Sequence, residues 1–211
     1  MDIVSLALAV TLNCQQPVTK DVIGLWESTS ISRGGIGHNF EFRDDGSYTS
    51  ATTVLVDLKY GIKDGIFYMS HNKGEPINYE NGAEIEVTKS GYKLNKDGEV
   101  EVKTKEHPSK DKTIVGVYKY RHYTGGMAYE KYTDDGKIKF RLPMKSISGC
   151  YSINGNSITV TQEDKNSSKI KYIATKDTLS LESQQGKYTY TIVPEGSWYE
   201  SKEIDYQKPV E

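Results

Sequence analysis

The sequence predicts an all-β protein built as two tandem antiparallel barrels or half-open sandwiches, and three observations carry that prediction. From Gly24 onward, short alternating segments are separated by turn signals about every ten residues. No stretch of helical period longer than about two turns, with a cap and a stop, interrupts them. The chain also repeats itself once. Gly24-Leu25-Trp26 returns as Gly116-Val117-Tyr118, Gly34-Gly35 as Gly125-Gly126, Asp44-Asp45-Gly46 as Asp134-Asp135-Gly136, and Tyr60-x-Ile62 as Tyr151-x-Ile153, at offsets of 92, 91, 90 and 91 residues. A shift so constant across separate landmarks means two copies of one unit.

The turns come first. Asp45-Gly46, Asp64-Gly65, Asp97-Gly98, Asp135-Gly136 and Asn154-Gly155 are dipeptides that accept positive φ, as tight hairpins require. Between them, Phe40-Glu41-Phe42, Lys137-Ile138-Lys139-Phe140-Arg141-Leu142 and Lys187-Tyr188-Thr189-Tyr190-Thr191-Ile192 place apolar side chains on one face and polar ones on the other. Short strands with one wet side leave unpaired edges, and curling until the first and last strands pair removes them. A barrel of about eight strands has an interior that side chains just fill or that holds one small ligand.

Composition narrows the function. The 211 residues carry 27 Lys and Arg against 29 Asp and Glu, interspersed, so no basic footprint for nucleic acid is present. With 16 Tyr but only 4 Phe and 2 Trp, tyrosine supplies most of the aromatic burial, its ring inward and its hydroxyl seeking a partner. The net charge of −2 and the regular apolar spacing exclude a disordered chain.

The amino terminus differs in kind. Ile3 to Leu12 is an apolar run too short to span a bilayer and of the right length for the core of an export signal, and it ends at Cys14. Leu12-Asn13-Cys14 resembles a bacterial lipoprotein cleavage site. That resemblance implies a signal peptide over 1–13, a lipidated Cys14 that anchors the protein to the membrane, and a tether over 14–21. Gln15 after the cysteine resembles proteins sent on to the outer membrane of the cell envelope. With Cys14 lipidated, Cys150, the other cysteine, has no partner in the chain, and neither a disulfide framework nor a zinc cluster can form.

The first copy spans 22–104 and the second 114–193. Between them, 105–113 is polar, contains Pro108 and has no period, as a linker does. The tail, 194–211, matches nothing in the first copy.

No residue pattern in either copy points to catalysis. His38, His71, His107 and His122 stand at no metal-ligand spacing and beside no orienting partner. The repeated aspartates are explained by turn formation, with too few further carboxylates for calcium. Gly34-Gly35-x-Gly37 leads into a strand and so makes no phosphate cradle; it reads as a loop at a barrel mouth. Ser28 to Ser32 carries no nucleophile pattern. No enzyme, metal or cofactor is expected. The alternating pairs Tyr118 with Tyr120 and Tyr188 with Tyr190 are the candidate ligand-binding residues. They are expected on neighbouring first and last strands of the second barrel, where inward rings would give apolar walls with orienting hydroxyls.

Gly-x-Trp heading the first strand, Phe40-x-Phe42-x-Asp44-Asp45-Gly46 followed by Ser47-Tyr48-Thr49, and the hairpins after it resemble the compact lipocalin-like domains of many bacterial surface lipoproteins. The resemblance implies a closed antiparallel meander in each copy, with Trp26 as the barrel plug and Tyr118 in that place in the second copy. The basic residue that covers the plug in the family has Lys103 or Lys105 as candidates in the first copy and none in the second. For function, the resemblance implies a non-enzymatic envelope lipoprotein that binds a small apolar or amphipathic ligand. The alternative is a pair of solid barrels acting as an interaction module for another envelope protein or a host protein.

Overall fold

The computed structural model describes residue 14 and residues 20–162, 166–184, 186–194, 198 and 202–204; the expected signal peptide lies outside the described residues, as does most of the tail. After a 3-10 turn at Lys20–Val22, the first copy supplies β1 (Gly24–Ser28), β2 (Ser30–Ser32), β3 (Ile36–Phe42), β4 (Ser47–Lys63), β5 (Ile66–Met69), β6 (Ala83–Val87), β7 (Gly91–Lys96) and β8 (Glu99–Thr104). The second supplies β9 (Gly116–Arg121), β10 (Met127–Tyr132), β11 (Lys137–Asn154), β12 (Ser157–Gln162), β13 (Ser167–Ala174), β14 (Thr178–Ser183) and β15 (Gly186–Ile192), and the tail adds β16 (Lys202–Ile204). The protein is all-β, as the sequence predicts.

The strands do not pair copy by copy. β4 and β11, of 17 and 18 residues, run antiparallel along most of their length, from Lys59 opposite Lys137 to Ser47 opposite Cys150. Each is too long for one small barrel, and each passes from one barrel into the other. The first barrel closes through β4, β3, β1, β15, β14, β13, β12 and β11. The second runs β4, β5, β6, β7, β8, then β9, β10 and β11, its seam made by the bridge from Lys105 to Tyr118 and by Glu106 N–H to the Val117 carbonyl at 3.0 Å. Each barrel is therefore a composite of both copies. Within 105–113, Lys105 and Glu106 lie at the seam of the second barrel.

The repeated landmarks are the clamps of this exchange. Tyr151 N–H donates to the Gly46 carbonyl at 2.8 Å and Tyr60 N–H to the Gly136 carbonyl at 2.8 Å, so each copy's Asp-Asp-Gly turn holds the other copy's tyrosine. The hydroxyls repeat the relation, Tyr151 to the Arg43 carbonyl at 2.8 Å and Tyr60 to the Thr133 carbonyl at 2.7 Å. Between these clamps, where the two copies' equivalent positions meet, β11 bulges at Met144 and the register shifts between Pro143 and Lys145.

Two apolar cores result. Trp26, Phe42, Tyr48, Tyr151, Ile158, Leu179 and Tyr190 fill the first barrel; Tyr60, Phe67, Tyr92, Tyr118, Tyr132 and Ile138 fill the second. The plugs are equivalent: Trp26 Nε1 donates to the Val22 carbonyl and Tyr118 OH to the Ile114 carbonyl, each at 2.8 Å. Above Trp26, Ile192 lies against Gly24, whose φ of +139° no side chain adopts easily. Above Tyr118, the stem of Lys105 takes the same place against Gly116, with its Nζ on the Thr113 carbonyl at 2.5 Å and Ser109 Oγ at 2.8 Å. Lys105, from the first copy, thus packs against Gly116 and Tyr118 of the second.

A third buried layer joins the barrels, and it is polar. Glu27 on β1 and Arg141 on β11 form an ion pair at 2% and 3% side-chain exposure. Trp198 from the tail stands edge-on to Tyr129 at 6.4 Å, with the Arg141 guanidinium 5.8 Å from its ring. At the surface, Arg121 of the second copy pairs with Glu41 of the first at 2.7 Å. Glu27 Oε1, Tyr129 OH and Trp198 Nε1 are buried in the polar layer without a partner in the structure, around a void of about 10 Å³. That is room for about one water, which three polar atoms suffice to hold.

Candidate ligand-binding cavity

Opposite the Trp26 plug, the first barrel opens into a cavity of about 1150 Å³, somewhat above the usual range of roughly 300 to 1,000 Å³ for small-molecule pockets. Phe40, Ile170, Leu181 and Tyr190 form its inner wall, continuous with the core. Ser30 and Ser32 of β2, Ser167, Ser168 and Lys169 at the start of β13, and Ser183, Gln184 and Lys187 at the β14 to β15 turn form its lip. β2 stands apart from the main sheet and is paired in parallel with β16, so the tail braces one side of the mouth. Gly37 lets the wall close on itself: a Cβ there would come within 2.9 Å of Ile31 and 3.2 Å of Ser28 Oγ.

His38 is the titratable group in the wall. Its Nε2 is 2.9 Å from Ser50 Oγ, its ring lies edge-on to Phe40 at 4.6 Å, and its Nδ1 is 3.5 Å from the Tyr190 hydroxyl. Burial lowers its pKa to about 4, so the imidazole is neutral near pH 7. The neutral ring, with both nitrogens beside hydroxyls, brings no charge to the wall.

The second barrel carries different chemistry at the equivalent positions. Counting from the plugs, Ser28, Phe40 and Tyr190 correspond to Tyr120, Glu130 and Lys103. Glu130, 3% exposed, accepts from Tyr120 OH at 2.8 Å, Tyr92 OH at 3.0 Å and Tyr132 OH at 3.3 Å, and pairs with Lys103 at 3.1 Å. The Lys103 ammonium sits 3.2 Å from the centre of the Tyr120 ring. Burial, and after it the Glu130 charge, holds the Tyr92 and Tyr120 hydroxyls protonated far above the ordinary tyrosine range. This network is filled and mutually satisfied. The first barrel, with a serine where the second has Tyr120, keeps the space.

The four tyrosines named from the sequence therefore divide. Tyr190 is in the cavity wall and Tyr188 at its lip. Tyr118 is the buried plug of the other barrel and Tyr120 belongs to the Glu130 network. The expected adjacency of their strands is corrected, because β15 pairs with β1 and β14 while β9 pairs with β10. Trp26 is fully buried in the first core. His38 and the serines of the lip escaped sequence reasoning; the dense run Ser28 to Ser32 beside the glycine loop was the available signal.

The cysteines also differ from expectation. Cys14 and Cys150 form a disulfide with Cα atoms 5.4 Å apart, fastening the segment before β1 to β11. Cys150 thus has a partner, and in this state the Cys14 sulfur is not open to a lipid.

Fold and cavity together define a class: a double β-barrel of exchanged halves with an open-mouthed cavity among the described residues. No family model, no curated protein and no solved structure matches the chain.

Proposed function

We propose that this is a non-enzymatic binding protein of the bacterial envelope that holds one small apolar or amphipathic molecule in the first barrel, a lipocalin-like use of the fold. The single observation that carries the reading is the cavity, apolar in its depth and hydroxyl-rich at its lip. Export is supported twice, by the apolar run from Ile3 to Leu12 and by the disulfide, which persists in oxidising compartments. Lipidation and the disulfide are alternative fates of Cys14, so membrane anchoring through lipid and a free exported form are distinguished by the mass of the mature protein.

The test is titration with a neutral apolar fluorophore, N-phenyl-1-naphthylamine. Saturable binding, lost when Ser168→Trp fills the cavity and kept when Tyr120→Phe alters the other barrel, is the expected result. Absence of saturable binding contradicts the reading.

A second reading, an interaction surface for another envelope or host protein, is favoured by β8. Val100 and Val102 on that strand are 54% and 67% exposed, and among the described residues β8, before the Lys105 bridge, carries no ladder to β9. Retention of an envelope protein by the native chain and its loss in Val102→Lys would favour this second reading.

A further inference from the structure

We infer that the cavity takes an uncharged single-chain amphiphile with a hydroxylated head, a glycerol or a sugar, its chain against Phe40, Ile170, Leu181 and Tyr190 and its head at the lip. This rests on the reading of the cavity as a ligand site and adds the chemistry of the ligand's head.

Strand alternation fixes which side chains of the lining face inward. Trp26, Phe42, Leu179 and Tyr190 lie in the first core, and counting in twos from them turns Ser28, Phe40, His38, Leu181, Ser183 and Tyr188 to the same side. On β13, Ile170 packs against that core and Ser168 precedes it by two residues. None of these side chains brings a charge at pH 7, since burial keeps the His38 imidazole neutral. Lys169 and Lys187 border the cavity but alternate with Ile170 and Tyr188, which puts them on the outer face. There Glu182 stands opposite both Lys171 and Lys187. The charges of β13, β14 and β15 are thus gathered outside, with unlike signs facing each other. The second barrel shows that the fold accepts the opposite arrangement: at the positions equivalent to Phe40 and Tyr190 it buries Glu130 and Lys103, paired at 3.1 Å.

The lip matches a hydroxylated head. A carboxylate only accepts hydrogen bonds and an ammonium only donates them, whereas a hydroxyl does both, as serine and glutamine side chains do. Ser32 Oγ accepts from the Ile36 N–H at 3.0 Å and keeps its proton to donate. Ser168 and Gln184 line the same mouth, and neither side chain is committed to a hydrogen bond among the described residues. A charged head set against this neutral inner face would lose hydration without meeting a counter-charge. A polyol head exchanges its water for groups of the same kind.

The test compares ligands of one chain length below their micellar concentrations: dodecyl glucoside, 1-monolauroylglycerol, dodecanol, laurate and dodecyltrimethylammonium, each competing with bound N-phenyl-1-naphthylamine. The glucoside or the monoacylglycerol is expected to displace the probe best, and whichever of the two binds tighter names the source of the head. Ser168→Ala and Gln184→Ala should each weaken that ligand by roughly two- to ten-fold and leave binding of the headless probe unchanged. Laurate or dodecyltrimethylammonium displacing the probe as well as the polyol ligands would overturn the uncharged assignment. Dodecanol doing so, or variants that leave the polyol ligands unaffected, would overturn the hydroxylated head. Each of these results leaves the cavity reading standing, and failure of all five to displace the probe would overturn that reading itself.

Discussion

Tyr151 of the second copy donates its backbone N–H to the carbonyl of Gly46 in the first, at 2.8 Å, and Tyr60 of the first copy makes the same bond to Gly136 of the second. These pairs explain why the sequence keeps both landmarks twice: turn and tyrosine are two halves of one clamp, each half supplied by a different copy. The exchange has consequences that experiment can reach.

Fragments cut in the 105–113 segment, 18–108 and 109–211, each lack strands of both barrels. Neither is expected to show a cooperative thermal transition alone, and mixing them should restore one, read by circular dichroism. A single fragment that melts cooperatively as a monomer would mean that the copies fold on their own.

The plugs should be unequal in what they contribute. Trp26→Ala removes a fully buried indole and should cost about 3 to 5 kcal/mol of unfolding free energy. Tyr118→Phe removes only the bond to the Ile114 carbonyl and should cost about 1 kcal/mol. Urea unfolding at constant slope checks both, and a Tyr118→Phe loss as large as that of Trp26→Ala would contradict the assignment.

His38 gives a pH dependence with a definite sign. Its folded pKa of about 4 lies below the ordinary 6.5, so as pH falls the unfolded chain takes the proton first. Stability contributed by the neutral ring is complete above pH 6.5, declines between pH 6.5 and 4, and is gone below; the full effect is up to about 3 kcal/mol. His38→Gln should flatten that window in urea midpoints measured against pH. An unchanged acid limb would place the loss on other groups.

The disulfide closes a loop with a sequence separation of 136 residues. Reduction, or Cys150→Ser, should lower stability by about 5 kcal/mol if chain entropy in the unfolded state dominates. The unreduced exported protein should show no free thiol and a mass without lipid; a diacylglyceryl mass on Cys14 would show that the cysteine takes the other fate in cells.

Much of the fold was legible before the structure, and the reason for the rest is physical. Turn dipeptides and alternation specify strands locally, and the three alternating segments named from them lie in β3, β11 and β15. Which copy a strand pairs with is not local information, because two near-identical patterns make self-pairing and cross-pairing equivalent by sequence. One signal was available for the first of the two long strands: Ser47 to Lys63 runs without a turn dipeptide for about three times the usual strand length of five to six residues, whereas Lys137 to Asn154 is interrupted by Pro143 and Ser148-Gly149. The candidate site was half visible. Tyr190 and Tyr118 alternate in the same way, but one faces space and the other fills it, and the difference lies in the small Ser28 against the bulky Tyr120 two residues after each plug.

The most direct test of the account is the stoichiometry of N-phenyl-1-naphthylamine binding by native mass spectrometry. One adduct per chain, abolished by Ser168→Trp and retained in Tyr120→Phe, is the predicted result. Two adducts per chain, or an adduct that survives filling of the first barrel, would contradict the assignment of binding to that barrel alone.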